Sequence, residues 1–73
     1  MNKEQIIEKF DSLRYALDDG EILFLRLAEV YREKGNQVFM VHCFGAIKDI
    51  RRAIESVAYF EPGDLVDIEE MNI

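Results

Sequence analysis

The adjacent pair His42-Cys43 carries the most obvious nucleophilic chemistry in this chain. A Cys–His dyad needs the imidazole within hydrogen-bond reach of the thiol that it activates. Consecutive residues of a helix diverge by about 100° and do not face each other, and the surrounding segment has a helical pattern. Cys43 falls inside the apolar stripe, where a free cysteine behaves as a small hydrophobic residue, and His42 falls outside it. We therefore predict a structural role for the pair and no catalytic residues.

A basic cluster on the same segment offers a different chemistry, the binding of an anion. Lys48 and Arg52 are like charges four residues apart on a helix, which is unfavourable unless an acid or an anionic ligand lies between them. Arg51 is separated by the same spacing from Glu55, an arrangement typical of a solvated, ion-paired face. Both interpretations, a ligand site and a solvated face, stay open at this point.

Two arginines fall at the edges of apolar arcs. Arg51 has this position on the segment after residue 37, and Arg14 has it near the N-terminus. A guanidinium at such an edge extends to water or meets an acid or an anion. If the two segments pack together, Arg14 and Arg51 can converge on one phosphate or carboxylate. The candidate ligand-binding residues are Arg14, Lys48, Arg51 and Arg52.

The elements that would position these residues are helices, joined by a tight turn at Lys34-Gly35-Asn36-Gln37. Gly35 suits the left-handed position after a helix, and Asn36 suits the N-cap of the next one, so the helices on either side must run antiparallel. Asn2 with Gln5 resembles a capping box at the start of the chain. Asp18-Asp19-Gly20 supplies a second break. We predict an all-α, three-helix domain with helices at about 3–18, 21–34 and 37–60, followed by a short acidic C-terminal tail, 61–73, that includes an extra helical turn or is extended.

Two alternatives to these boundaries remain. Residues 3–34 can form one kinked helix in place of two. Residues 38–44 are rich in β-branched and aromatic side chains, so a short strand competes with helix there. The predicted core positions have helical spacing. They are Ile6, Phe10, Leu13 and Leu17 in the first helix, Leu23, Phe24, Leu27, Ala28, Val30 and Tyr31 in the second, and Met40, Cys43, Phe44, Ile47, Ile50, Ile54, Val57 and Ala58 in the third.

Several apolar side chains lie off these core stripes and indicate a contact surface. We expect Tyr15, Ile22, Leu25, Tyr59 and Phe60 to form an interface. A chain of 73 residues buries little surface on folding and needs support. With one cysteine and one histidine, neither an internal disulfide nor a zinc site is expected to supply it, so self-association is the predicted support.

Composition and charge restrict the function further. The chain is 49% hydrophobic and 33% charged, which is typical of a globular protein, and the net charge of −6 disfavours nucleic-acid and anionic-membrane binding. Residues 1–60 contain ten acids and nine bases, and residues 61–73 contain five acids and no base, so the acidity belongs to the tail. Without a signal-peptide profile or a long apolar run, we expect a cytoplasmic protein.

The small size, the helical hairpin and the lack of a catalytic set resemble the accessory proteins that phages and mobile elements encode. That resemblance is one of size and style and implies binding and inhibition of a host factor, or sequestration of a nucleotide signal. We therefore expect a non-enzymatic, homo-oligomeric binding protein with a protein partner and no cofactor or metal. The alternative is an oligomer that sequesters an anionic nucleotide-type ligand.

Overall fold

The computed structural model describes residues 2–60, so the predicted acidic tail, 61–73, lies outside the described residues. The described part contains two helices, α1 from Lys3–Glu33 and α2 from Gln37–Ala58. They pack side by side in opposite directions, because residues near the start of α1 lie next to the end of α2. The all-α class and the antiparallel hairpin are confirmed. The strand alternative at 38–44 is wrong, since that segment is helical.

The prediction of a helix break at Gly20 is wrong, because α1 continues through it for 31 residues. The described residues therefore form two helices where three were predicted. A glycine inside a helix costs only about 0.5–1 kcal/mol relative to alanine, which packing along a long helix easily offsets. A Cβ at Gly20 would lie 3.6 Å from Cδ1 of Ile50, so this glycine lies where α1 and α2 are in contact.

Both helices begin with the caps that the sequence indicates. Gln5 N–H donates to Oδ1 of Asn2 at 2.9 Å, and Asn2 N–H donates to Oε1 of Gln5 at 2.9 Å, forming a capping box at the start of α1. Phe39 N–H donates to Oδ1 of Asn36 at 3.1 Å at the start of α2. These bonds satisfy backbone donors that lack helical partners.

The turn between the helices is a Schellman motif centred on Gly35. Its φ is +72°, the left-handed region that glycine adopts without strain. Gly35 N–H donates to the carbonyl of Arg32 at 3.0 Å, and Asn36 N–H donates to the carbonyl of Tyr31 at 2.8 Å. Asn36 thus ends one helix with its backbone and begins the next with its side chain. The predicted turn is confirmed in full.

The core is a single seam between the two helices, and few of its side chains are fully covered. The side chains that are buried in the described part are Ile6, Ala28, Cys43 and Ile47. Most buried and half-buried positions follow one another with spacings of three and four, as in a coiled coil, and we call these the inner seam. Those positions on α1 are Ile7, Phe10, Arg14, Leu17, Glu21, Phe24, Ala28 and Tyr31, and on α2 they are Met40, Cys43, Ile47, Ile50, Ile54 and Val57. The buried Ile6 and the half-buried Gly20, Leu27, Ala46 and Ala53 lie beside the inner seam.

Part of the predicted core is not core. Leu13, Leu23, Val30 and Phe44 are between 42% and 55% exposed, and Ala58 is exposed as well. The apolar arc of each helix is wider than the strip that one neighbouring helix can cover. Helix α1 is about 46 Å long, well beyond the roughly 30 Å of a small domain. Because α2 is its one neighbour among the described residues, one side of α1 is covered and the rest is exposed to water.

Candidate interaction surfaces

The hairpin has two broad faces, one on each side of the plane that contains both helix axes. We call the first the groove face, because two apolar grooves cross it between α1 and α2. The larger has a volume of about 410 Å³ and is lined by Leu25, Ala28, Glu29, Arg32, Met40 and Phe44. The smaller has a volume of about 300 Å³ and is lined by Arg14, Leu17, Asp18, Ile54, Val57 and Ala58.

An ion pair separates the two grooves. Nε of Arg51 lies 3.3 Å from Oε1 of Glu21 and donates a hydrogen bond to it. On α1, Glu21 lies between the residues that line the smaller groove and those that line the larger one. On α2, Arg51 lies between the corresponding two sets. The Arg51 side chain is 62% exposed, so water screens the pair and its contribution to stability is small. The sequence analysis left water, an acid or an anion as the partner of Arg51, and the structure shows an acid, Glu21.

The other predicted cations are spread over the hairpin. Arg14 is half-buried in the smaller groove beside Asp18, and Lys48 and Arg52 are exposed on α2. Arg14 and Glu21 are seven residues apart, or about 10 Å along the axis of α1. Arg51, which is bonded to Glu21, is thus directed to a point well away from Arg14. Their convergence on one anion stays a prediction.

The opposite side of the hairpin carries a second apolar seam, which we call the leucine–alanine face. On α1 it consists of Leu13, Ala16, Gly20, Leu23, Leu27 and Val30, again with alternating spacings of three and four. On α2 the same side carries Phe39, His42, Ala46, Asp49 and Ala53, and Phe60 follows the end of the helix. No charged residue occupies the α1 part of this face, and Asp49 is the one formal charge on its α2 part.

The residues that we predicted as an interface are all exposed, as expected for positions off the core, but they do not form one surface. Tyr15 and Ile22 lie on the side of α1 that faces away from α2. Leu25 lines the larger groove, Tyr59 follows the end of α2, and the Phe60 ring lies 5.7 Å from the ring of Phe10. The sequence analysis missed the leucine–alanine face because it assigned Leu13, Leu23 and Val30 to the core.

The two chemically reactive residues lie in different environments, and the structural role of the pair stays a prediction. Cys43 is a buried free thiol, and the adjacent His42 is exposed and has its ring 6.5 Å from that of Phe39. Within residues 2–60, no three histidine, cysteine or carboxylate side chains cluster as a metal site would require. Neither α1 nor α2 has an apolar stretch long enough to cross a membrane.

Comparison with models of protein families, with curated proteins and with solved structures finds no match to this chain. The surfaces themselves must therefore support any functional assignment.

Proposed function

We propose that this protein is a non-catalytic, self-associating helical binding protein that inhibits or modulates a protein partner, of the accessory or anti-defence type that phages and mobile elements encode. One observation carries the proposal. Among the described residues, four hydrophobic side chains are buried, whereas twelve large hydrophobic side chains are exposed. Single exposed apolar residues are ordinary, but contiguous apolar seams on a protein surface mark contact surfaces.

Self-association supplies the cover that the hairpin lacks. Two helices bury one strip each, and an isolated hairpin of this size is marginal in water. Four or more helices from several copies enclose a core on more than one side of each helix, as helical bundles do. Oligomerisation thus accounts for apolar side chains that α1 and α2 leave uncovered.

The groove face is the surface that we assign to a partner. Its larger groove combines the apolar side chains of Leu25, Met40 and Phe44 with the opposite charges of Glu29 and Arg32 at its edge. Such a groove accepts one or two apolar side chains from a helical or extended segment, while the flanking charges orient the polar side chains around them. Helix-in-groove recognition of this kind needs no catalytic group.

Two measurements test the proposal. Sedimentation velocity at several concentrations should show an oligomer. Affinity capture should then be compared for the wild type, for Phe44→Glu in the larger groove and for Val38→Glu, an exposed apolar position away from the groove. We expect a partner that the Val38 variant retains and the Phe44 variant loses. A monomer at every concentration, together with identical captured proteins for both variants, contradicts the proposal.

A second candidate function, sequestration of an anionic nucleotide, is supported by one feature. Arg14, which is half-buried, lines a groove of about 300 Å³, a size that suits a small ligand. Asp18 lines the same groove and disfavours an anion there. A ligand at 100 times its dissociation constant stabilises a protein by about 2.7 kcal/mol, so a thermal-shift screen with linear and cyclic nucleotides detects it. A shift that Arg14→Gln abolishes supports this function, and no shift with any nucleotide eliminates it.

A further inference from the structure

We infer that the leucine–alanine face binds a second copy of this chain, with α1 of each copy packed on α2 of the other about a two-fold axis parallel to the helices. The inference rests on the self-association proposed above and specifies its surface and geometry. Three properties of the face support it: its shape, the levels of its residues along the hairpin, and the charges along its outer edges.

The shape of the face is complementary to itself. The α1 part projects large side chains, Leu13, Leu23, Leu27 and Val30, and so forms a ridge. The α2 part is shallow at Ala46 and Ala53, which have only methyl groups and lie on either side of Asp49. A two-fold interface uses the same patch on both copies. The ridge of each copy therefore packs on the shallow strip of the other, and this contact occurs twice. A two-fold axis perpendicular to the helices would instead place the leucines of one copy against the leucines of the other. The alanines would then face alanines, and the shallow strip would stay unfilled.

The levels of the residues along the hairpin agree with this arrangement. Four pairs define them, namely Gly20 with Ile50, Glu21 with Arg51, Tyr31 with Phe39 and Phe10 with Phe60. Residue i of α1 therefore lies at the same height along the hairpin as a residue of α2 numbered about 71 − i. A two-fold axis parallel to the helices leaves the height of every residue unchanged, so residues of equal height also face each other between the two copies. Leu23 of one copy then meets the other copy between Ala46 and Ala53.

Charges along the outer edges of the face also match. Asp19 on α1 is level with Arg52 on α2, and in the proposed pair these residues belong to different copies and lie on the same side of the bundle. Asp49, the formal charge within the face, comes within about four residues, or roughly 6 Å along the axis, of Arg26 from the other copy. Each of these pairs has opposite signs. In residues 2–60 of the single hairpin, none of the four forms an ion pair.

The size of the face reaches the lower limit of specific interfaces. Leu13 and Val30 are 17 residues apart, which corresponds to about 26 Å along α1, and two adjacent helices are about 20 Å wide. The outline of the face is therefore roughly 500 Å² per copy before the relief of its side chains is counted. Two such faces reach the total of about 1,000 Å² that separates specific interfaces from incidental contacts.

The test reverses the charges on opposite edges. Asp19→Arg places a positive charge against Arg52 of the other copy, and Arg52→Asp places a negative charge against Asp19 of the other copy, so each variant alone repels itself twice. In a heterodimer of the two variants both edge pairs have opposite signs, because the introduced arginine meets the introduced aspartate at one edge and the native Arg52 meets the native Asp19 at the other. Since exposed ion pairs are individually weak, we expect each variant to associate about tenfold more weakly than the wild type, and the equimolar mixture to form heterodimers in preference to either homodimer.

Matched controls are available on the groove side of each helix. Asp18→Arg makes the same charge change one residue away from Asp19, and Arg51→Asp does so one residue away from Arg52, on the side of α2 where Arg51 bonds Glu21. Sedimentation equilibrium and native mass spectrometry of the single variants and mixtures provide the measurement, and circular dichroism checks that helicity is retained. Neither control should weaken association, and their mixture should show no preference for heterodimers.

Every outcome bears on the inference. A preference for heterodimers in the Asp19→Arg and Arg52→Asp mixture alone supports it. Association of the wild type without that preference overturns the proposed geometry and leaves self-association standing. A wild type that stays monomeric overturns both the geometry and self-association, whereas the separate capture comparison still decides whether the groove face binds a partner.

Discussion

Replacing Gly35 with alanine should destabilise the hairpin through backbone conformation alone. The residue has a φ of +72°, and a Cβ added there would meet no atom within 4 Å. Any loss of stability is therefore the cost of holding a side-chain-bearing residue in the left-handed region, about 1–2 kcal/mol. In a domain of this size that corresponds to a decrease in Tm of roughly 4–8 °C for each kcal/mol.

Gly45 provides the matched comparison for Gly35→Ala. It lies inside α2, and a Cβ added there also meets no atom within 4 Å. Among the described glycines Gly35 alone has a positive φ, so Gly45→Ala exchanges glycine for a better helix former and should raise stability by about 0.5–1 kcal/mol. The same substitution in equally open surroundings should thus have opposite effects at the two positions.

Urea unfolding followed by circular dichroism measures both effects. The protein concentration must be fixed, because the stability of an oligomer depends on it. The two variants should change the midpoint in opposite directions and leave the slope of the transition unchanged. If Gly35→Ala is as stable as Gly45→Ala, the reasoning is refuted, because Gly35 then has no need of the left-handed conformation that ends α1.

Two further predictions concern the cap and the buried thiol. Asn36→Ala removes the side-chain acceptor for Phe39 N–H and should cost about 1 kcal/mol in urea unfolding, whereas Asn36→Asp keeps an acceptor and should be nearly neutral; equal losses would contradict the capping role. Cys43→Ser places a hydroxyl at a site that is 4% exposed and should cost about 1–3 kcal/mol unless it finds a hydrogen-bond partner. Native Cys43 should also react slowly with a thiol reagent and quickly in urea, and rapid native labelling would show that the seam is open.

The turn could be predicted from the sequence because its determinants are local. Gly35 and Asn36 act through their own backbone preferences and through bonds to residues at most five positions away. The same holds for Asn2 and Gln5 at the start of α1. No knowledge of the rest of the fold is needed for such motifs, so the hairpin and its antiparallel direction follow from a few residues.

Gly20 shows where local reasoning fails. Asp18-Asp19-Gly20 has the composition of a helix end, and an isolated peptide with this sequence would favour one. Contact with α2 decides otherwise, because Gly20 lies beside Ile50 and continuing the helix keeps the inner seam in register on both sides of it. The stabilisation that this contact provides comes from a residue thirty positions away. An argument from local helix propensity does not consider that residue.

The division of the apolar arc on α1 is the feature that sequence periodicity cannot supply, and it is also the feature that matters most for function. Leu17 and Leu23 are chemically identical and both fit a helical repeat, yet the first is half-buried and the second is exposed. Periodicity places a residue on an apolar arc; it does not say which helix covers that part of the arc. Since α1 carries two adjacent seams and α2 covers one, we assign the second seam to a helix from another copy of the same chain, on the ground of its self-complementary shape.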